Sequence, residues 1–154
     1  MKRKIIFAAL FIFISLKMTA QQKIQPIYYV DYSFANRHLL RGGIEFMLIN
    51  ESDSQNKLFL GTGYGIVNYD GKIHGIPDLH LSYNVGTILF VKAGSSFSYA
   101  YSLVGISLLN TCDIGIGYST SYNNSDVKIQ GFTAGITFRL TRKDDVYGKL
   151  RIGF

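Results

Sequence analysis

Apolar and polar residues alternate along almost the whole chain beyond its N-terminal segment. Tyr28, Val30 and Tyr32, for example, alternate with Asp31 and Ser33. A period of two is that of a β-strand whose faces meet different surroundings, and the helical period of 3.6 residues does not recur over any useful length. The pattern therefore predicts an all-β protein.

The alternation divides the chain into segments separated by short polar or glycine-containing turns, as in an antiparallel meander. Eight segments are clear: 24–34, 40–48, 58–66, 73–83, 87–96, 112–122, 132–141 and 147–154. A further segment, 99–109, fits either a strand or a loop ordered by its own aromatic side chains. Because a closed single-chain barrel has an even number of strands, we expect an antiparallel up-and-down β-barrel of eight strands, with ten as the alternative.

The two faces of these segments differ in the size of their side chains as well as in polarity. One carries large aliphatic and aromatic residues, and the other carries Gly, Ser and Thr with isolated charges: Asp31, Arg41, Glu45, Asp78, Lys92, Asp113, Arg139 and Arg151. A face in water would be rich in Lys and Glu, whereas side chains fill the narrow lumen of an eight-stranded barrel. The composition favours a barrel with its apolar face towards lipid and its polar face inward.

The alternative is a soluble periplasmic barrel of the lipocalin type, in which the apolar face encloses a small apolar ligand. The direction of the large residues separates the two hypotheses. In the membrane barrel an outward band is formed by Leu40, Phe46, Leu58, Leu81, Ile136 and Phe138. In the lipocalin-like barrel the same residues converge on a cavity.

Tyrosines support the membrane hypothesis, because many fall near segment ends on or beside the apolar face, where an aromatic girdle would meet the bilayer interface. They include Tyr28, Tyr32, Tyr64, Tyr69, Tyr83, Tyr118, Tyr122 and Tyr147. Tyr is also a good strand former wherever the strand lies.

The first twenty residues have the pattern of an export signal. A segment with three basic residues, Lys2, Arg3 and Lys4, precedes an uncharged apolar run from Ile5 to Leu16, and the small residue Ala20 offers a cleavage point. This run is within the range of a signal-peptide core and shorter than a membrane-spanning helix. We expect residues 1–20 to be a cleaved signal peptide and residues 21–154 to be one barrel domain in the outer membrane.

Charge and cysteine content exclude other classes. The chain has 16 Lys and Arg against 10 Asp and Glu, but four of the basic residues belong to the predicted signal, so the net charge falls from +6 to +2 on cleavage. The remaining basic residues form no stripe of the kind that nucleic-acid binding needs. The single Cys excludes an internal disulfide framework.

The last segment carries the most specific resemblance. A terminal Phe154, preceded at alternate positions by Ile152 and Leu150, with Tyr147 and Gly148 upstream, is similar to the C-terminal strand of bacterial outer-membrane barrels. With the signal and the alternation, the chain resembles the small barrels of the OmpA/OmpX type. The resemblance implies that this strand is an assembly signal, with the lipid bilayer and the barrel assembly machinery as partners.

A second, weaker resemblance lies in the segment Ile114–Ser119, which is similar to the closing hairpins of barrels associated with type IX secretion and gliding. Those barrels are about twice as long as this chain. We therefore place the chain with the generic small outer-membrane barrels.

Candidate chemistry is sparse. His74, Asp78 and His80 share a face, and residues two apart on a strand are close enough for Asp78 and His80 to share a metal. The alternative is that they are lumen groups hydrogen-bonded to each other, which the loose spacing favours. No local pattern brings together Ser, His and an acid as hydrolysis needs. We expect neither catalysis nor a cofactor, and a structural or surface-interaction role without an open pore.

Overall fold

The computed structural model describes residues 26–50, 55–123, 125–142 and 146–147. Its eight strands are β1 (Ile27–Phe34), β2 (His38–Asn50), β3 (Lys57–Tyr69), β4 (Lys72–Val85), β5 (Leu89–Ser95), β6 (Tyr99–Leu108), β7 (Cys112–Ser121) and β8 (Gly131–Leu140). Among these described ranges there is no helix with the length and apolar character needed to cross a membrane.

Each strand pairs antiparallel with the next, and β8 pairs with β1, so the sheet closes into a barrel. The predicted all-β, up-and-down barrel of eight strands is confirmed. Closure satisfies the backbone donors and acceptors of β1 and β8, which would otherwise be free sheet edges.

The uncertain segment is a strand, β6. Its side chains alternate in direction, with Tyr99, Tyr101 and Leu103 buried inside and the residues between them on the outer face. With β6 included, the eight strands of the barrel all lie between Ile27 and Leu140. The number of strands was therefore predicted correctly, but the set of strands was not. The predicted strand 147–154 is not among the eight strands of the barrel, and its residues after 147 lie outside the described ranges.

The strands are strongly staggered. Starting from Leu140 on β8, the paired residues once around the barrel are Tyr28, Ile44, Thr62, Leu79, Ser95, Ala100 and Thr120. Thr120 lies one residue beyond the pair Ser119–Gly131, at the opposite end of β8. The stagger is thus about ten residues, which for eight strands corresponds to a tilt of roughly 40° to the barrel axis.

Because the number of strands is even, β1 begins and β8 ends at the same end of the barrel, which we call the terminal end. The connections there are 51–56, 86–88 and 109–111. At the opposite end, the loop end, they are 35–37, 70–71, 96–98 and 122–130. The turn at Asp70 and Gly71 has positive φ at both residues, as a two-residue hairpin of type I′ requires.

Apolar residues cover the interior at both ends. At the terminal end, Val146 packs with Ile27 and Phe59. At the loop end, Val127 and Ile129 of connection 122–130 are buried in a cluster with residues of the barrel mouth: Ala35, Leu39, Val67, Ile76 and Tyr99.

Connection 122–130 is held against the loop end by hydrogen bonds. Asn36 donates through Nδ2 to the carbonyl of Lys128 at 3.1 Å and accepts through Oδ1 from the amide of Gln130 at 3.1 Å. Ser121 donates to the carbonyl of Ile129 at 2.9 Å. These bonds fix the backbone that carries Val127 and Ile129 into the mouth.

Candidate functional site

The outer wall of the barrel is apolar. Leu40, Leu81 and Phe138 are exposed, and Phe46, Leu58 and Ile136 are half-buried. Every strand contributes outward apolar side chains, including Val30, Tyr64, Leu79, Val91, Val104, Ile114, Ile116 and Phe132. The six residues that separate the two hypotheses thus lie on the outside of the sheet and do not line an internal cavity.

Aromatic side chains of this wall lie towards the strand ends. Near the terminal end are Tyr28, Phe46, Tyr83 and Phe138, and near the loop end are Phe34, Tyr64, Phe97, Tyr118 and Phe132. The residues between the two groups are mostly aliphatic: Val30, Ile44, Leu79, Leu81, Val91, Val104, Ile106, Ile114, Ile116 and Ile136. The wall therefore has an aliphatic middle with aromatic borders.

The interior differs from the wall, because it holds charged and polar side chains as well as apolar ones such as Phe59, Phe90 and Leu103. Its buried groups include eight ionisable side chains that form one continuous chain of contacts across six strands. In order of contact they are Lys92, Asp31, Arg41, Asp78, His80, Glu45, Arg139 and Asp113. We call this the interior charge chain. Cationic and anionic residues alternate along it, with His80 at a cationic position.

The first half of the interior charge chain, from Lys92 to Asp78, joins β5, β1, β2 and β4. Lys92 Nζ lies 2.9 Å from Asp31 Oδ2, and Arg41 donates to Asp31 Oδ1 through Nε at 2.9 Å and Nη2 at 2.6 Å. Arg41 Nη1 then reaches Asp78 Oδ1 at 3.0 Å. Thr137 of β8 also donates to Asp31 Oδ2 at 2.7 Å. Asp31 thus joins its own strand to three others.

The second half joins β4, β2, β8 and β7. His80 lies 2.8 Å from Asp78 Oδ2 through Nδ1 and 2.8 Å from Glu45 Oε1 through Nε2. Arg139 Nε donates to Glu45 Oε2 at 2.5 Å, and its Nη1 donates to Asp113. Each carboxylate of this half therefore contacts at least one cationic side chain, as buried charges require.

Glycines on the inner face of β3 leave the space that these side chains occupy. Gly61 pairs with Glu45 on one side and His80 on the other. A Cβ on Gly61 would overlap the His80 ring and lie 2.9 Å from Glu45 Cγ, and one on Gly63 would overlap the Tyr29 hydroxyl. The inward glycines are thus explained by close approach of side chains from other strands.

The sequence-predicted trio is only partly brought together. Asp78 and His80 are in contact. His74 lies towards the loop end, where its ring and the Tyr69 ring are nearly perpendicular and their centres are 6.2 Å apart. Within the described ranges, no three His, Cys, Asp or Glu residues are grouped as a metal ion would require. Both ring nitrogens of His80 face carboxylates, so the geometry is that of hydrogen-bonded lumen groups.

Seven of the eight predicted inward charges are buried inside the barrel, and the eighth, Arg151, lies outside the described ranges. Sequence reasoning missed the interior hydroxyls of Tyr99 and Tyr101, which contact Arg41 and Asp78 respectively. The available signal was that Tyr99 and Tyr101 are two residues apart and therefore share a face of β6. Periodicity alone, however, did not assign this segment as a strand.

The predicted C-terminal assembly signal falls mostly outside the described ranges, which include Tyr147 but not Gly148, Leu150, Ile152 or Phe154. The hydroxyl of Tyr147 accepts from the amide of Thr141 at 2.9 Å and donates to its carbonyl at 3.0 Å. The assignment stays a prediction.

Comparison of the chain with protein-family models, curated proteins and solved structures gave no match.

Proposed function

We propose that this chain is an outer-membrane β-barrel with a structural or surface-interaction role, exported by a cleaved signal peptide and without an open pore. The observation that carries the proposal is the direction of the side chains: the outward side chains of every strand are mostly apolar, and most charged side chains of the strands are buried inside. This is the arrangement of a barrel surrounded by lipid.

An apolar wall around the whole barrel would be costly in water. Soluble monomers rarely expose continuous apolar patches larger than a few hundred Å². Here every strand adds outward aliphatic or aromatic groups, and the exposed fraction is 54% at Val104, Ile106 and Ile116 and 66% at Phe132. Lipid would remove this surface from water, and the aromatic borders would meet the two bilayer interfaces.

The soluble alternative has less support. A lipocalin-like barrel stabilises an apolar ligand with inward apolar side chains. The middle of this barrel is instead occupied by the interior charge chain, and most of its outward side chains are apolar. An apolar ligand in that position would have to displace paired charges.

The packing of the interior argues against an open pore. Arg41, His80 and Arg139 each contact acids from other strands within the lumen, and the clusters around Val146 and Val127 cover the two ends. Three of the four connections at the loop end are two or three residues long. A surface partner would therefore meet chiefly connection 122–130.

The site geometry also supports a non-enzymatic role. A His acting as a general base needs one ring nitrogen free to take a proton from the nucleophile. His80 contacts Asp78 and Glu45 through its two nitrogens. The most deeply buried histidine of the barrel is thus placed to hydrogen-bond two carboxylates.

Cell fractionation tests the proposal. The carbonate-washed membrane pellet and the soluble periplasmic fraction are run on SDS gels with and without boiling. We expect the protein in the pellet, with faster migration of the unboiled sample because a folded barrel stays compact in SDS. Recovery in the soluble fraction without a heat shift would overturn the membrane assignment and favour the soluble barrel.

A further inference from the structure

The hairpin of β3 and β4 extends beyond β5 and β6 at the loop end. β4 pairs with β3 from Lys72 to Asn84, but its pairing with β5 begins only at Leu79. The chain turns back from β5 to β6 at 96–98, below the tip of this hairpin. Residues 72–78 therefore have a neighbouring strand on one side only, and we call their open side the β4 edge.

The turn determines which backbone groups point to the β4 edge. A two-residue turn joins the carbonyl of Tyr69 to the amide of Lys72, so Lys72 faces β3. Successive residues of an antiparallel strand bond to alternate sides. Ile73 and Gly75 thus each direct an N–H and a C=O away from β3, and Pro77, which has no N–H, directs a C=O there. A proline at this position costs the ladder no hydrogen bond.

The β4 edge is not capped by the part of the chain that the structure describes. The backbone of residues 72–78 has no hydrogen-bond partner there outside β3. Connection 122–130 places Val127 and Ile129 in one buried cluster with Ile76 and thus covers the inner face of the hairpin, but its backbone bonds to Asn36. A strand added to the edge would meet this connection on its inner side.

Two highly exposed apolar side chains border the β4 edge. Phe97 is 86% exposed and Ile73 is 77% exposed, the two highest values among the large hydrophobic residues that the structure describes. The register of Leu79 with Ser95, continued by two residues, places Phe97 level with Pro77. Ile73 lies on the same outer face, because it is separated from Pro77 by an even number of residues. An added strand would therefore have apolar neighbours for its outward side chains at both ends.

The β4 edge projects past the aromatic border of the outer wall. Tyr64, which belongs to this border, pairs with Pro77 at the base of the edge. Beyond this pair the hairpin carries the polar residues Asn68, Lys72 and His74. A partner could therefore reach the edge from water.

Other segments of this chain do not supply the missing strand. Apart from residue 124, the segments outside the described ranges all join the barrel at the terminal end: 1–25, 51–54, 143–145 and 148–154. In the proposed function a lipid bilayer separates that end from the β4 edge.

A second copy in the same membrane is a poor fit. Two barrels inserted in the same direction face each other across an axis along the membrane normal. Because their strands tilt by roughly 40°, the two β4 edges would cross at roughly 80°, whereas neighbouring strands of a sheet differ by about 20–25°. The occupant that remains is a segment of another protein.

We propose that the β4 edge binds an extended segment of another protein as an additional strand above the β5–β6 hairpin. Backbone hydrogen bonds to Ile73, Gly75 and Pro77 hold the segment, and alternate side chains set its specificity. The side chains that lie beside Ile73 and Phe97 are apolar. The proposal rests on the surface-interaction role proposed above and specifies its partner.

Hydrogen-exchange NMR of the protein in detergent micelles tests the strand addition. The probe is a hexapeptide of alternating Thr and Val. Without it, we expect fast exchange at the amides of Ile73 and Gly75 and slow exchange at those of His74 and Ile76, which bond to β3. The peptide should protect Ile73 and Gly75. Protection of these two amides in the free protein, at all concentrations or only at high ones, would overturn the proposal in favour of the chain itself or a second copy.

Two matched peptides separate backbone bonding from side-chain contact. Directly paired residues point to the same face, so the Val residues that lie beside Ile73 also carry the bonding amides. One control peptide is N-methylated at its Val residues, and the other has Ser in place of Val. We expect each to bind more weakly by about tenfold. Equal binding of the N-methylated peptide would overturn strand addition, and equal binding of the Ser peptide would overturn the apolar specificity.

Variants of the protein give a second test. Ile73→Pro removes an edge donor without loss of a bond to β3, and Phe97→Ala removes the apolar neighbour at the base. We expect either to weaken binding of the Thr–Val peptide by about tenfold, and Ile88→Ala, at an exposed position of the terminal end, to leave it unchanged. The heat-dependent gel shift verifies folding, and Phe97→Ala decides alone if Ile73→Pro does not fold. Unchanged binding in the folded variants would contradict the proposal.

The two proposals fail separately. A protein in the membrane pellet whose Ile73 and Gly75 amides stay unprotected with the Thr–Val peptide would overturn the strand addition and leave the membrane assignment intact. A protein in the soluble fraction would overturn the membrane assignment whatever the peptide does.

Discussion

His80 on β4 and Glu45 on β2 lie 2.8 Å apart although β3 runs between their strands. The residue of β3 that pairs with both of them is Gly61. Contact across an intervening strand is possible because that strand has no side chain at this point. The absence of a side chain at Gly61 thus allows the two halves of the interior charge chain to meet.

Replacing Gly61 by Ala should therefore destabilise the barrel. The new Cβ overlaps the His80 ring and approaches Glu45 Cγ to 2.9 Å, and overpacking of this kind costs about 1–3 kcal/mol. Gly42→Ala is the control, because its Cβ would point outward with a nearest neighbour at 3.6 Å. Urea unfolding followed by circular dichroism compares the two variants. Equal midpoints would contradict the role assigned to Gly61.

Placing Arg in the middle of the outer wall tests the lipid-facing assignment. Ile116 lies in the middle of β7 and is 54% exposed, whereas Ile73 lies beside the hairpin at the loop end and is 77% exposed. In vesicles we expect Ile116→Arg to lower the free energy of unfolding by about 2–4 kcal/mol and Ile73→Arg by at most about 1 kcal/mol. If both variants are near neutral, the wall faces water.

Arg139 is expected to be the most sensitive interior cation. Arg139→Gln leaves Glu45 and Asp113 without their guanidinium partner in a buried site, and breaking a buried pair from one side costs about 3–5 kcal/mol. Arg142→Gln, at an exposed position just after β8, should change the stability by less than about 0.5 kcal/mol. The heat-dependent gel shift and the urea midpoint measure both variants. A stable Arg139→Gln barrel would show that the charge chain is dispensable.

The predicted assembly signal can be separated from the fold. All eight strands of the closed barrel precede residue 141, so deletion of Phe154 should leave refolding in detergent unchanged. In cells, the resemblance to outer-membrane barrels predicts impaired assembly and periplasmic aggregate. Refolding yield and membrane yield are measured on the same variant, with Phe97→Ala, at an exposed loop-end position, as the control. Normal membrane yield would contradict the assembly signal.

The sequence by itself determined the strands and their two faces. A period of two assigns each side chain to one side of a sheet, because successive residues point in opposite directions. That was enough to predict seven of the eight strands and to place Asp31, Arg41 and Arg139 on the same face. It was not enough for β6, where aromatic residues such as Tyr99 are compatible with either a strand or an ordered loop.

Only the tertiary structure decided which groups meet. Contact between Glu45 and His80 depends on the register of three strands, and contact between Arg139 and Glu45 depends on closure of β8 onto β1. Register and closure are set by the stagger of the whole barrel, which no local pattern records. Parity thus predicted an interior lined with charges, while the stagger paired them and placed His80 between two acids.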